Sequence, residues 1–405
     1  MKIVKLWAIQ LTLVLAGFCI LNTSPILAKE VEGLFEISVP VDDRSNSKRK
    51  RATREAITEI MIRISGQSTA ASNSVLTSRL KKSSAYIQRY LYREELVIDD
   101  EGNAGEQLML DLFFDEISLR NLLRDAGLPR WGSNRPQVLV WLAIGDQQQR
   151  FLMGTDGEAL LSSMTSRQST ELTTRQSTQG QETTDSPEDS HIDLRQILNN
   201  KAAERGLPIL IPLMDLEDEI SIDVADVWGR FVQPIRQASL RYNGDAILAA
   251  QLMQSGDTWQ TRWLLLHKGR TLSWELESDS IEGALTAGID ATTDQLAEQY
   301  AVLEDSLQRN ELLISVSNIQ QVEDYAHLID YLKNLTSISS VNVARVSGSA
   351  IQLRVSLIGE QEAMLQLISL NNKLLKESMP LFDADGVVTQ LPSLFFRWNT
   401  EVIEQ

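Results

Sequence analysis

Few side chains in this 405-residue chain have the types and spacing that catalysis requires. Its three histidines, His191, His267 and His327, lie far apart in the sequence. Cys19 is the only cysteine, which disfavours a structural zinc site built from Cys and His ligands. The sequence lacks a Gly-x-Ser-x-Gly elbow, a glycine-rich phosphate loop and a His-Glu-x-x-His helix. We therefore expect no enzymatic activity, no cofactor and no metal.

An acidic segment is the best candidate for a cation site. Its six carboxylates are Asp215, Glu217, Asp218, Glu219, Asp223 and Asp226. Oxygen ligands of this kind suit Ca²⁺, but the segment has no Asp-x-Asp-x-Asp-Gly loop. A solvated acidic loop is the alternative interpretation. We retain Asp215, Asp218 and the nearby Trp228 as candidate binding residues.

Three tryptophans lie on a predicted three-stranded meander at 245–277. Trp259 and Trp263 share a face of its second strand, and Trp274 lies on its third. Exposed rings would form a stacking platform for a sugar or a peptide, whereas rings beneath a helix would be core. The segment 281–303 has an apolar stripe at helical spacing that needs such a sheet to cover. A peptidoglycan or carbohydrate binder, or a hydrolase, that uses this meander is the alternative function.

Five cations crowd the start of the first predicted helix, where the helix dipole disfavours positive charge. They are Lys48, Arg49, Lys50, Arg51 and Arg54. Such a patch suits either of two roles. It is a docking site for phosphate or an acidic partner, or it is a solvated helix face that pairs with nearby acids.

The first 28 residues have the pattern of a secretory signal peptide. Lys2 and Lys5 precede an apolar run at 6–21, and the small residue Ala28 precedes Lys29 at the expected cleavage site. The run is short for a bilayer span, so we expect cleavage after Ala28 and export of the mature chain without a membrane span.

Charge and composition narrow the choice of partners further. The formal net charge of −17 opposes nonspecific binding to nucleic acid, so we expect no nucleic-acid partner. Residues 154–190 are rich in Ser, Thr, Gln and Gly, with too little apolar surface to offset the entropy of ordering. We therefore predict a disordered insertion over 154–190.

The order of apolar patterns predicts an α+β protein with three α+β units in tandem. The N-terminal domain, 29–132, is predicted to hold a strand, two helices, a hairpin and a closing helix, with the second helix over 86–91. The middle α/β domain, 133–308, alternates buried strands with helices and contains the insertion. The C-terminal domain, 309–405, follows the order of a ferredoxin-like βαββα unit, with a last strand at 387–391.

Short motifs along most of the mature chain carry a resemblance to a known family. They are Val39-Pro40-Val41-Asp42, Arg63-Ile64-Ser65-Gly66, Leu128-Pro129-Arg130-Trp131-Gly132, Arg135-Pro136, Gly206-Leu207-Pro208, Leu213-Met214-Asp215-Leu216-Glu217-Asp218 and Asp226-Val227-Trp228-Gly229. The chain thereby resembles an exported proteobacterial family, the domain of unknown function 2066 family. The resemblance implies a Gram-negative periplasm and no activity. Trp131 and Arg135, in the linker motifs, are further candidate binding residues.

The middle domain carries a fainter resemblance. Tyr242-Asn243-Gly244-Asp245-Ala246-Ile247-Leu248, followed by a meander and a long helix, is similar in order to periplasmic α/β modules of Tol-type and peptidoglycan-synthase-activator proteins. Those modules are adaptors, so the similarity implies binding. We therefore expect a non-enzymatic periplasmic envelope protein that holds a protein partner through sheet edges or exposed strand faces, as an assembly adaptor.

Overall fold

The computed structural model describes residues 31–98, 104–146, 149–155, 193–304, 309–378 and 393–400. Helices and mixed sheets alternate along these segments, and the α+β class is confirmed. The signal peptide, with Ala28 and Lys29, lies outside the described residues, as do nearly all of the 154–190 insertion and the predicted last strand at 387–391. No helix in the described segments is both long and apolar enough to cross a membrane.

The N-terminal module is a three-stranded antiparallel sheet covered by helices. Its strands stand in the order β1-β3-β2. Its elements are β1 (Glu36–Pro40), α1 (Asn46–Ser65), α2 (Ser74–Arg79), β2 (Ile87–Ile98), β3 (Ala104–Phe114) and α3 (Glu116–Asp125).

Strand β2 corrects one sequence-based prediction. Tyr86, Tyr90 and Leu91 were expected on a second helix, but the strand begins at Ile87. Tyr90 pairs with Leu112 of β3 and Tyr92 pairs with Leu110, so alternate residues face α1. Aromatic residues that alternate in this way favour a strand, because they pack well on a half-buried pleated surface.

Helix α1 supplies the core of this module. One stripe of it is buried against the sheet at Ala52, Ala56, Ile57, Ile60, Met61 and Ile64. The helix ends at Gly66, whose φ of 73° is the left-handed conformation that favours glycine, and whose N–H donates to the Ile62 carbonyl over 2.8 Å.

The middle module is a six-stranded sheet between two helical layers. Its order is β5-β4-β7-β8-β9, with β6 parallel to β4. The strands are β4 (Val138–Gly145), β5 (Arg150–Leu152), β6 (Ile209–Leu210), β7 (Ala246–Ser255), β8 (Thr258–His267) and β9 (Arg270–Ser278). The helices are α4 (Leu194–Arg205), α5 (Leu216–Ser221), α6 (Val224–Trp228), α7 (Val232–Ser239) and α8 (Ile281–Tyr300).

Strand β4 shows why this sheet is covered on both faces. All eight of its residues are buried. Val138, Val140 and Leu142 belong to the core under α4 and α8, whereas Leu139 and Trp141 belong to the core under α6 and α7. An unbroken apolar run of this kind is typical of a strand buried on both sides, as the sequence predicted.

The C-terminal module is a five-stranded sheet in the order β11-β12-β10-β14-β13. Its elements are β10 (Arg309–Ser317), α9 (Val322–Asn334), β11 (Ile338–Ser347), β12 (Ala350–Ile358), α10 (Gln361–Ile368), β13 (Leu374–Glu377) and β14 (Ser393–Trp398). The first three strands are antiparallel neighbours, but β14 runs parallel to β10. The sheet thus extends the βαββα order with two further strands, and the ferredoxin-like assignment stays a prediction.

Two of the three modules share a hydrophobic core, and the N-terminal module is packed separately from them. The N-terminal module has its own hydrophobic core. The core beneath α4 and α8, in contrast, continues into the C-terminal sheet as far as Phe396 and Trp398. The middle and C-terminal modules are therefore packed as one body, to which the N-terminal module is joined by polar contacts described below.

Candidate functional site

Arg135 lies at the junction of the N-terminal and middle modules and is completely buried. Its guanidinium donates to five backbone carbonyls, those of Arg63, Trp131, Gly132, Arg205 and Gly206, over 2.8–3.1 Å. Burial, followed by the nearby charges of Arg63 and Arg205, lowers the pKa of Arg135 to about 9. Every donor direction is taken up by the protein, so this side chain ties segments together.

Trp131 is part of the same junction. Its ring is 1% exposed, it lies 4.2 Å below the Arg135 guanidinium, and its backbone N–H donates to the Ile64 carbonyl over 2.8 Å. A Cβ on Gly66 would lie 2.6 Å from this ring, so only glycine fits beneath it. Trp131 and Arg135, the candidate binding residues of the linker, are therefore buried away from the outer surface, although Trp131 also lines a cavity described below.

Arg205 completes the junction from helix α4. Its guanidinium, 1% exposed, pairs with Asp290 at 2.5 Å and Asp294 at 2.6 Å, and also donates to the Gly66 carbonyl at 2.9 Å. Asp294 in turn accepts from the backbone N–H of Ser68 at 3.0 Å. Helices α1, α4 and α8 are thus joined by buried cations and their acceptors.

The acidic segment is a hydrogen-bonded network instead of an open cation site. Asp218 is fully buried and accepts from the Met214 N–H at 3.0 Å and from the Tyr242 hydroxyl. Arg241 donates to Asp215 at 2.6 Å and to Asp218 at 3.1 Å. The hydrogen bond from Arg241 lowers the pKa of Asp215 to about 2, and burial raises the pKa of Tyr242 to about 12.

Two further acids of this segment also have structural partners. Asp223 and Asp226 form a capping box at the start of α6. In the described part of the chain, no group of three or more His, Cys, Asp or Glu side chains is placed to hold a metal ion. Trp228 is half-buried, and the Arg150 guanidinium lies 4.5 Å from its ring. Asp215, Asp218 and Trp228 are brought near one sheet face but do not converge on a cleft.

The tryptophans of the meander are mostly core. Trp263 is fully buried and Trp259 is 5% exposed, both beneath α8. The Trp274 ring, half-buried, stacks on Trp263 with centroids 6.5 Å apart and planes 10° apart. A Cβ on Gly288 of α8 would overlap the Trp263 ring. The meander therefore presents no open three-ring platform, which removes the feature that suggested a carbohydrate ligand.

A cleft of about 650 Å³ lies between the starts of α4 and α8. Its charged lining is mainly acidic: Asp193, Lys201, Glu204, Asp279 and Glu282. Asp193 accepts from the Gln196 N–H over 2.9 Å as the cap of α4, and Lys201 pairs with Glu204 and Asp290. Three of these charged side chains, Asp193, Lys201 and Glu204, thus serve a helix end and ion pairs.

Strand β2 and the first turns of α1 form a surface that we name the basic edge, comprising residues 46–54 and 87–98. Strand β2 is one of the two outer strands of its sheet. The Arg49 guanidinium lies 4.7 Å from the Tyr90 ring, which places this cation of α1 beside the strand. Arg89, on the opposite face, lies 4.1 Å from the Phe113 ring.

Part of the positive charge on the basic edge is not neutralised. Lys48 pairs with Asp42, and Arg51 pairs with Glu55 at 2.9 Å. No ion pair in the described segments involves four cations of this surface: Arg49, Lys50, Arg54 and Arg89. The expectation of a solvated face that pairs with nearby acids therefore accounts for only some of the cluster.

The same surface exposes apolar side chains. Leu96 is 77% exposed, Leu91 49%, Val97 44% and Tyr90 42%. Long outer strands with exposed apolar residues are uncommon in natural proteins, because they invite pairing with another strand. Sequence reasoning missed Tyr90 and Leu91 as strand residues, since both were placed on a helix. The alternation of Tyr90 and Tyr92 is the signal that identifies the strand.

Charge is distributed unevenly between the modules. Residues 31–132 hold 15 Lys and Arg against 16 Asp and Glu, whereas residues 133–405 hold 20 against 38. The basic edge therefore belongs to a nearly neutral module on a strongly acidic chain.

Comparisons with known proteins found a match for the N-terminal module alone. The described residues form an α+β protein, and its N-terminal sheet module lies within residues 31–132. Residues 28–132 match a protein-family model described as Domain of unknown function (DUF8605), which covers this module and its Trp131-Gly132 linker. No curated protein and no solved structure matches the chain. The N-terminal module is thus similar to a domain of unknown function.

Proposed function

We propose that this chain is a non-enzymatic adaptor that holds an extended, acidic segment of a partner protein along its basic edge. The observation that carries the proposal is the free, twelve-residue strand β2, with exposed apolar side chains and unpaired cations on both of its flanks. Strand addition supplies main-chain hydrogen bonds, and alternate side chains supply specificity.

Charge selects the partner in this proposal. Arg49 lies on one side of β2 and Arg89 on the other, and Lys50 and Arg54 are exposed on the same helix as Arg49. An acidic strand would neutralise these cations and relieve the unfavourable interaction of Lys48 and its neighbours with the α1 dipole. A neutral strand would gain the backbone hydrogen bonds alone, so acidic segments are favoured.

Site-specific photo-crosslinking tests this assignment. A photoreactive residue at Leu96 of β2 is expected to give a discrete adduct in cells, whereas the same residue at Thr271, exposed on the outer strand β9, gives none. Reversal of two free cations, Lys50→Glu with Arg54→Glu, should reduce the Leu96 adduct several-fold without changing the melting temperature. Equal adducts at both positions, or an adduct insensitive to the charge reversal, would contradict the proposal.

We also propose that the chain is exported to the periplasm and belongs to the domain of unknown function 2066 family. The motifs of the linker and of residues 206–218, together with the basic, apolar and small-residue pattern of residues 1–28, support this proposal. Fractionation of cells with N-terminal sequencing of the purified chain tests it. A mature chain that begins at Lys29 and is released with periplasmic contents is the expected result.

A further inference from the structure

A cavity that is partly open to solvent lies where the N-terminal module, the linker and helix α9 meet. We name it the junction cavity; its volume is about 230 Å³. The polar and charged part of its lining is Glu116, Arg120, Arg130, Ser133 and Asn334, together with the Trp131 indole. Leu34, Phe35, Ile64 and Leu123 form an apolar wall. The lining of the cavity therefore contains both hydrogen-bond donors and an apolar wall.

Two arginines meet at this cavity. Arg130 donates to the Thr336 carbonyl over 3.0 Å, and its Nε lies 3.1 Å from a Glu304 oxygen without hydrogen-bond alignment. Arg120 pairs with Glu116 on its own helix. Burial and then the charge of Arg120 lower the pKa of Arg130, so these two like charges are close enough to repel each other.

The indole of Trp131 adds a donor without an acceptor. Its ring is 1% exposed, and in the described part of the chain its Nε1 has no hydrogen-bond partner. Leaving such a buried donor unpaired is unfavourable, because its hydrogen bond to water has been lost without replacement. An anion in the cavity would relieve both this loss and the repulsion between Arg120 and Arg130.

We infer that the junction cavity binds a small organic carboxylate with an apolar body. The carboxylate would accept hydrogen bonds from Arg120, Arg130 and the Trp131 indole, and the body would pack on Phe35 and Leu123. Arginine suits this role because its planar guanidinium matches the geometry of a carboxylate. The volume admits a single aromatic or branched aliphatic acid and excludes a peptide chain.

Calorimetric titration of the full mature chain with benzoate tests this site, with inorganic phosphate as the second probe. Benzoate is expected to bind at one site, and more tightly than phosphate, because only benzoate fills the apolar wall. Arg120→Gln should weaken benzoate binding about fivefold, and Glu116→Gln should strengthen it about threefold, since both side chains are half-exposed and partly screened. Arg124→Gln, exposed on the same helix, is the matched control and should change nothing.

Trp131→Phe keeps an aromatic side chain but removes the indole N–H together with the five-membered part of the indole, so it should weaken benzoate binding about fivefold. The opposite signs expected for Glu116→Gln and Arg120→Gln exclude a general loss of folding as the cause, even where the Trp131 variant is less stable. Phosphate binding as tight as that of benzoate, or equal benzoate affinity in the Arg120 and Arg124 variants, would overturn the inference.

Discussion

Buried polar side chains in this protein act mainly on backbone carbonyls and helix ends. Arg135 donates to five carbonyls, and Asp218 accepts from Met214 and Tyr242. In these contacts, side chains of potentially reactive type hold backbone segments and helix ends in place. A buried charge with all its directions satisfied is a structural element, and removing one partner is costly.

His267 provides a pH-dependent test at this scale. It is 3% exposed, its Nδ1 lies 3.0 Å from the Asp245 carbonyl and its Nε2 lies 2.6 Å from the Tyr300 hydroxyl. Burial lowers the pKa of His267 below its ordinary value of 6.5. As the pH falls through 6.5, the unfolded chain therefore takes up a proton before the folded chain does, and folding stability decreases.

We expect the melting temperature of the wild-type chain to fall between pH 7 and pH 5. His267→Gln should reduce that slope, because it removes the titrating group. His327→Gln, on the exposed face of α9, is the control and should leave the slope unchanged. Identical slopes in all three proteins would contradict the role assigned to the burial of His267.

Among the elements, those with strong periodic patterns were predictable and those fixed by distant partners were not. Strand β4 and the meander β7-β8-β9 follow from apolar runs and glycine turns, and the structure contains both. The apolar pattern of residues 207–213 also suits a buried strand, but only β6 forms there, since Pro208 and Pro212 limit its pairing. The helix predicted over 86–91 was wrong, because the pairing of β2 with β3 depends on residues about twenty positions away.

The close approach of α8 to the meander gives a prediction at the element scale. Gly288 allows the helix to touch the Trp263 ring, and a Cβ there would overlap the six-membered ring. Gly288→Ala should therefore destabilise the protein by about 2 kcal/mol, as overpacking does, despite the higher helix propensity of alanine. Chemical denaturation measures this change.

Glu298→Ala, an exposed change on the same helix, is the matched control and should alter stability by less than about 0.5 kcal/mol. If Gly288→Ala proved as stable as the control, the packing of Trp263 beneath α8 would be wrong.

For the whole molecule, the junction around Arg135 determines how the modules unfold. The middle and C-terminal modules share one core, but the N-terminal core is separate. Arg135 and Arg205 connect the two bodies through contacts 70 or more residues apart in sequence. Their acceptors in the N-terminal module are the backbone carbonyls of Arg63 and Gly66, which leave no pattern in the sequence, so this joint could not be predicted.

Arg135→Leu should separate the unfolding of the N-terminal module from that of the rest. The wild-type chain is expected to melt in one transition, whereas the variant should show two, with a loss of about 3 kcal/mol at the junction. Differential scanning calorimetry measures both. Arg124→Leu, on an exposed position of α3, should keep the single transition. One transition in the Arg135 variant would show that the modules are coupled by other contacts.

The uneven charge described above leaves the N-terminal module much less negative than the rest of the chain. Near a strongly acidic partner, the protein should rotate before contact. Its acidic modules are repelled by the partner, whereas the module that holds Lys50 and Arg54 is not. In a productive collision, strand β2 should therefore be the first part of the protein to meet the partner. Capture should consequently slow as ionic strength rises, even for a partner whose final affinity depends mostly on main-chain hydrogen bonds.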